Sequence, residues 1–147
     1  MNIKKINILS AILSIVIFII CCLIFIFRIG NQELAAYWMG IILVFTAIPL
    51  TYLLLTANQF HRPKIYTIQI GFMIAFLVTE LLLDYIFKVQ FRNTNWMVIT
   101  YIMLFFAGTG GMIGVASHAG KIWTIIAVVL FLNMAALAFY QRAITGI

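Results

Sequence analysis

Glu80 and Asp84 stand four residues apart inside a stretch that is otherwise apolar from Ile65 to Phe87. On a helix that spacing puts both carboxylates on one face. Gln69 lies eleven residues before Glu80, about three turns, and shares that face with Met73 and Phe76. A carboxylate in hydrocarbon costs roughly 2.5–3.5 kcal/mol on insertion scales, so it turns toward the bundle or toward water. The chemistry this implies is the binding of a proton or a cation. A structural role is the competing expectation. Lys88 follows Asp84 by four residues, the favourable acid-before-base order, and Arg28, Arg92 and Arg142 end near the same side as charge partners. Asn133, central in the last apolar run, shares a face with Tyr140. A membrane-buried Asn bonds across helices for about 0.6–2 kcal/mol. Gln69, Glu80, Asp84 and Asn133 are thus expected either to line a polar cavity or to join helices.

A second constellation is made of small residues. Ala107, Gly108, Gly110, Gly111 and Gly114 cluster in one run, and Gly110/Gly114 and Ala107/Gly111 form small-xxx-small pairs. Small residues let helix backbones approach closely in lipid. Ala107, Gly110, Gly111 and Gly114 are therefore a predicted helix-packing face, used within the chain or in a homo-oligomer. They do not suit phosphate, having no preceding strand and no P-loop lysine.

Metal and redox chemistry find little support. His61 and His118 both lie in loops on the same side, with no carboxylate or cysteine beside them, and no metal or cofactor is expected. Cys21 and Cys22 are adjacent and lack CxxC spacing, so inert buried thiols are expected. HExxH, GxSxG and Walker motifs are absent.

These residues must be held by membrane helices. The chain has 147 residues, 66% of them apolar and 8% charged, with a formal charge of +6. A soluble domain carries roughly a quarter charged residues. This composition excludes an ordinary soluble enzyme, and its apolarity excludes disorder. Hydrocarbon about 30 Å thick needs about 20 apolar residues in a helix. Five runs meet or approach that length, at about 6–27, 34–57, 65–87, 96–116 and 122–140. Polarity does not alternate along them as in membrane strands, and backbone groups in lipid must be satisfied within the segment. The expectation is an all-α integral membrane protein, a compact bundle of five transmembrane helices with short loops, in one domain. The first run is too long for a signal-peptide core and lacks a small-x-small cleavage site, so it is read as retained.

Basic residues number five (Lys4, Lys5, Arg62, Lys64, Lys121) on the N-terminal side and four (Arg28, Lys88, Arg92, Arg142) on the other. That bias places the N-terminus in the cytoplasm and the C-terminus outside the cell membrane. Tyr37, Trp38, Tyr85, Trp96 and Tyr140 fall at one predicted boundary, Tyr66 and Trp123 at the other, as headgroup-level rings do. Pro49, midway in the second run, should kink it. Expected partners are lipids and a second copy or another membrane protein, and nucleic acid is excluded by scattered charge.

Three functions follow, in decreasing order of support from sequence. The first is a non-enzymatic helix-packing module or subunit of a membrane assembly. The second is a small proton- or cation-coupled transporter or channel using Glu80. The third is a membrane-embedded enzyme on a lipid-like substrate.

Overall fold

The computed structural model describes residues 3–57, 59, 61, 63–86 and 95–145. Within them the chain forms α1 (Ile3–Ile29), α2 (Glu33–Phe45), α3 (Ala47–Leu55), α4 (Lys64–Glu80), a π-helical turn (Leu81–Ile86), α5 (Asn95–Ser117) and α6 (Lys121–Thr145). With α2 and α3 taken as one span, five helices are long and apolar enough to cross a membrane. No strand occurs among the described residues.

The second span is interrupted at Thr46, three residues before Pro49. Proline has no N–H for the Phe45 carbonyl, and its ring crowds that oxygen. The chain tightens there instead. Thr46 N–H donates to the Leu43 carbonyl at 3.0 Å, an i to i−3 bond, and the Thr46 hydroxyl donates to the same oxygen at 2.5 Å. We expect Pro49→Ala to fuse α2 and α3. Amide exchange across residues 46–50 should slow by roughly 2- to 10-fold, the effect of one added backbone bond.

α1 is the most buried span, with 50% of its most apolar stretch inside the bundle. Ile6, Ser10, Ala11, Leu13, Ser14, Ile17, Phe18, Ile20, Cys21 and Ile24 turn inward at helical spacing. α1 packs against α6, α2 and α5, and α4 pairs most extensively with α5. Buried hydroxyls on α1 are satisfied locally: Ser10 donates to the Ile6 carbonyl at 2.8 Å and Ser14 to the Ser10 carbonyl at 2.9 Å. Tyr66 corrects a sequence expectation. Rather than standing at headgroup level it is 1% exposed, its hydroxyl 3.1 Å from Ser10 Oγ and its ring edge-on to His118. A phenol whose polar tip finds a partner inside has no need of the interface.

Glycines set the α4–α5 approach. A Cβ at Gly108 would lie 3.1 Å from Met73 Cα and 3.3 Å from the Phe72 carbonyl oxygen. One at Gly111 would lie 3.1 Å from Gln69 Cβ, and one at Gly114 would collide with the Gln69 amide. Gly110 faces open space and Ala107 is exposed. The sequence pairs Gly110/Gly114 and Ala107/Gly111 therefore do not act as pairs within the chain. α4 runs along the Gly108, Gly111 and Gly114 side, so one member of each pair points away.

Candidate functional site

Three helix ends and one helix beginning converge at the side of the bundle opposite the N-terminus. α1 brings Cys21, Phe25 and Arg28, α4 brings Phe76 and Glu80, and α6 brings Phe139, Gln141 and Arg142. α5 enters from that side and contributes Tyr101, Phe105 and Phe106, while Leu43 of α2 closes the ring. Together they line a partly open cavity of about 90 Å³. It has room for several water molecules.

The walls are aromatic and interlocked. Phe105 meets Phe25 edge-on at 6.0 Å and Phe76 at 5.1 Å between ring centroids, and Phe76 meets Tyr101 at 5.4 Å. Phe106 and Phe139 stack at 5.8 Å with 17° between their planes, joining α5 to α6. Such contacts fix side-chain geometry beyond the area they cover.

Glu80 is 4% exposed and is the last residue of α4 before the π-helical turn. Single π turns inside α-helices are rare and often accompany functional sites. The turn is pinned to α2: the Tyr85 hydroxyl donates to the Tyr37 carbonyl at 3.0 Å, and the two rings lie 5.0 Å apart. Gly40 makes room for this, because a Cβ there would strike the Tyr85 hydroxyl. The register of Glu80 is thus held from both sides, by α4 packing on α5 and by Tyr85 on α2.

The expected site residues separate. Glu80, Arg28 and Arg142 line one cavity. Asp84 falls in the π turn, with its side chain outside the described part, and Lys88 and Arg92 lie outside the described residues. Gln69 is about three turns from Glu80 along α4 and packs against Gly111 and Gly114 instead. Asn133 is exposed on α6, away from the cavity, because α6 turns Ala127, Met134 and Gln141 inward. Gln141 and Tyr101 are cavity residues that the sequence reading did not single out. Gln141 carried a signal, since it follows Met134 by seven residues and so shares its inward face. Cys21, expected to be inert, is a cavity wall, and both thiols are free.

Electrostatically the cavity sets one carboxylate against two guanidinium groups. That set is poor for a bare metal ion. Among the described residues no three His, Cys, Asp or Glu side chains gather in a metal-holding group. It suits an anion carried on an apolar body: guanidinium groups grip carboxylate or phosphate in a fork, and phenyl walls take the remainder.

Fold and site together define an all-helical protein with five membrane-length helices around an amphiphilic cavity. Compared with known protein families, curated proteins and solved structures, the chain shows no significant similarity to any.

Proposed function

We propose that this chain is a multi-pass protein of the cell membrane, N-terminus in the cytoplasm, that binds a small amphiphilic anion in the five-helix cavity and couples that binding to a proton on Glu80. The reading is carried by one observation: Glu80, 4% exposed, lines the same cavity as Arg28 and Arg142. A guanidinium keeps its charge at any pH a protein meets. With Glu80 ionised the three groups sum to +1, and with Glu80 protonated to +2. An anion and a proton on Glu80 therefore favour one another, and that coupling is reciprocal. The two guanidinium groups disfavour a bare cation, so the proton-linked half of the transport expectation is the half that this charge set supports. Carriage across the membrane would require the break at Thr46 to let α2, and with it Leu43 of the cavity wall, move.

The test uses octanoate as the anion, with octanol and octylammonium as controls, on protein in lipid nanodiscs. Octanoate should bind saturably, and octylammonium should not. Octanoate affinity should rise about tenfold as Glu80 takes up its proton, within the usual range of coupling between two sites. Glu80→Gln, which imitates the protonated acid, should bind tightly with no such dependence on pH. Equal binding of octylammonium, or an unaltered pH profile in Glu80→Gln, rejects the proposal.

A packing module remains the second reading. It is supported by the close α4–α5 contact at Gly108 and Gly111 and by the uncovered outer face of α6.

A further inference from the structure

α6 is the least buried of the five spans: 11% of its most apolar stretch lies inside the bundle. Its inward line is Ala127, Met134 and Gln141, spaced by sevens. The opposite side carries Ile122, Ile126, Val129, Asn133, Ala136 and Tyr140, all exposed. These six alternate in steps of four and three, the spacing of a left-handed helix–helix seam. An exposed apolar face on a membrane helix is ordinary, since lipid covers it. Asn133 is not ordinary. It lies twelve residues from each end of α6, about 18 Å of rise, and so at mid-bilayer depth.

Five threonines along the spans are closed on their own helices. Thr51, Thr79, Thr100, Thr109 and Thr124 each donate to the carbonyl four residues back, at 2.7–2.9 Å. A carboxamide has two N–H donors and a two-lone-pair acceptor, more than a bonded helix can match. Hydrocarbon offers nothing to it.

We infer that the Asn133 seam of α6 binds α6 of a second copy of this chain, in parallel, with the two Asn133 carboxamides paired across a two-fold axis along the membrane normal. The second copy is chosen by complementarity. A carboxamide is both donor and acceptor, so two of them satisfy each other across a two-fold axis. The same orientation in the membrane also sets both at the same depth. Ala136, one turn on, lets the backbones come close where the amides meet. The glycine-rich α5 does not compete, because its Gly108, Gly111 and Gly114 are already occupied by α4. The inference is independent of the anion proposal, because the seam faces away from Ala127, Met134 and Gln141.

The experiment measures energy transfer between full-length copies labelled at the N-terminus, diluted stepwise with lipid. Wild type should associate. Asn133→Leu should weaken association roughly three- to thirty-fold, the range expected for a hydrogen bond between membrane helices, and Asn133→Gln should restore most of it. A second readout guards against misfolding: single cysteines placed along α6, and at positions 107 and 110 of α5, in a Cys21→Ala, Cys22→Ala background, oxidised in the membrane. Disulfides should peak at positions 126, 129 and 136 and be absent at 127 and 134. A chain that stays monomeric at high protein-to-lipid ratio, equal association by Asn133→Leu, or a peak on the Ala107–Gly110 side of α5 overturns the inference.

Discussion

Gly108→Leu is expected to abolish the folded bundle. Even the single carbon of alanine at this position reaches 3.1 Å from Met73 Cα and 3.3 Å from the Phe72 carbonyl oxygen, both fixed backbone atoms of α4. Backbone cannot swing aside as a side chain does, so the helices must part by a few tenths of an ångström. Overpacking of this kind costs about 1–3 kcal/mol for the alanine variant. Leucine adds three more carbons with nowhere to go, and the α4–α5 pair, the most extensive in the molecule, is lost. On the membrane placement proposed for the chain, no hydrophobic force between helices restores it, since association in lipid rests on close packing. The control lies two residues on. Gly110 meets nothing within 4 Å, so Gly110→Leu should fold as wild type does. Gly110→Ala should gain up to about 1 kcal/mol, the usual helix preference of alanine over glycine. Reversible unfolding in mixed detergent micelles, followed by circular dichroism, gives both values. Equal tolerance at 108 and 110 would show that α4 does not lie where described.

Replacement of both Arg28 and Arg142 by Gln should weaken octanoate binding roughly 20- to 1,000-fold. The half-buried Arg28 is worth about 1.5–3 kcal/mol as a charge-assisted bond and the exposed Arg142 about 0.2–1 kcal/mol, because water screens it. Arg28 is half-buried and Arg142 exposed, so Arg28→Gln alone should cost more than Arg142→Gln alone. Salt sharpens the reading. Octanoate affinity in the Arg142→Gln protein should depend less on ionic strength than in wild type, because the exposed charge is the one that salt screens. Isothermal titration at 50 mM and 300 mM salt is sufficient. Full affinity in the double variant would remove the guanidinium pair from the site and the proposal with it.

How much of this was legible beforehand depends on the kind of physical signal involved. Apolar runs of membrane length report themselves, because hydrocarbon thickness fixes their count, and the five-helix, all-α character follows. Pro49 announced the break of the second span through a missing donor. Direction around a helix is harder to read. Gly108 and Gly110 are the same residue type 200° apart, and only the partner distinguishes them. The inward face of α6 is equally masked, because Ala127 and Val129 are both apolar whether they meet protein or lipid. The π turn after Glu80 has no compositional mark at all: a one-residue slip in hydrogen bonding leaves the sequence looking helical. Glu80, Arg28 and Arg142 could be nominated one by one as costly charges near one side. Their convergence depends on how the first, third and last spans cross, and that is a tertiary fact.

The pairing of α1 with α6 has a consequence for how the molecule is made. Membrane proteins are delivered from the ribosome N-terminal part first, at about 5–20 residues per second. α1 finds one of its main neighbours in α6, which is made later. Until α6 is released, the side of α1 bearing Cys21 and Arg28 stays open, because Phe139, Gln141 and Arg142 have yet to arrive. Until then the partly made protein carries a gap at that wall, and the cavity is complete only once α6 is in place.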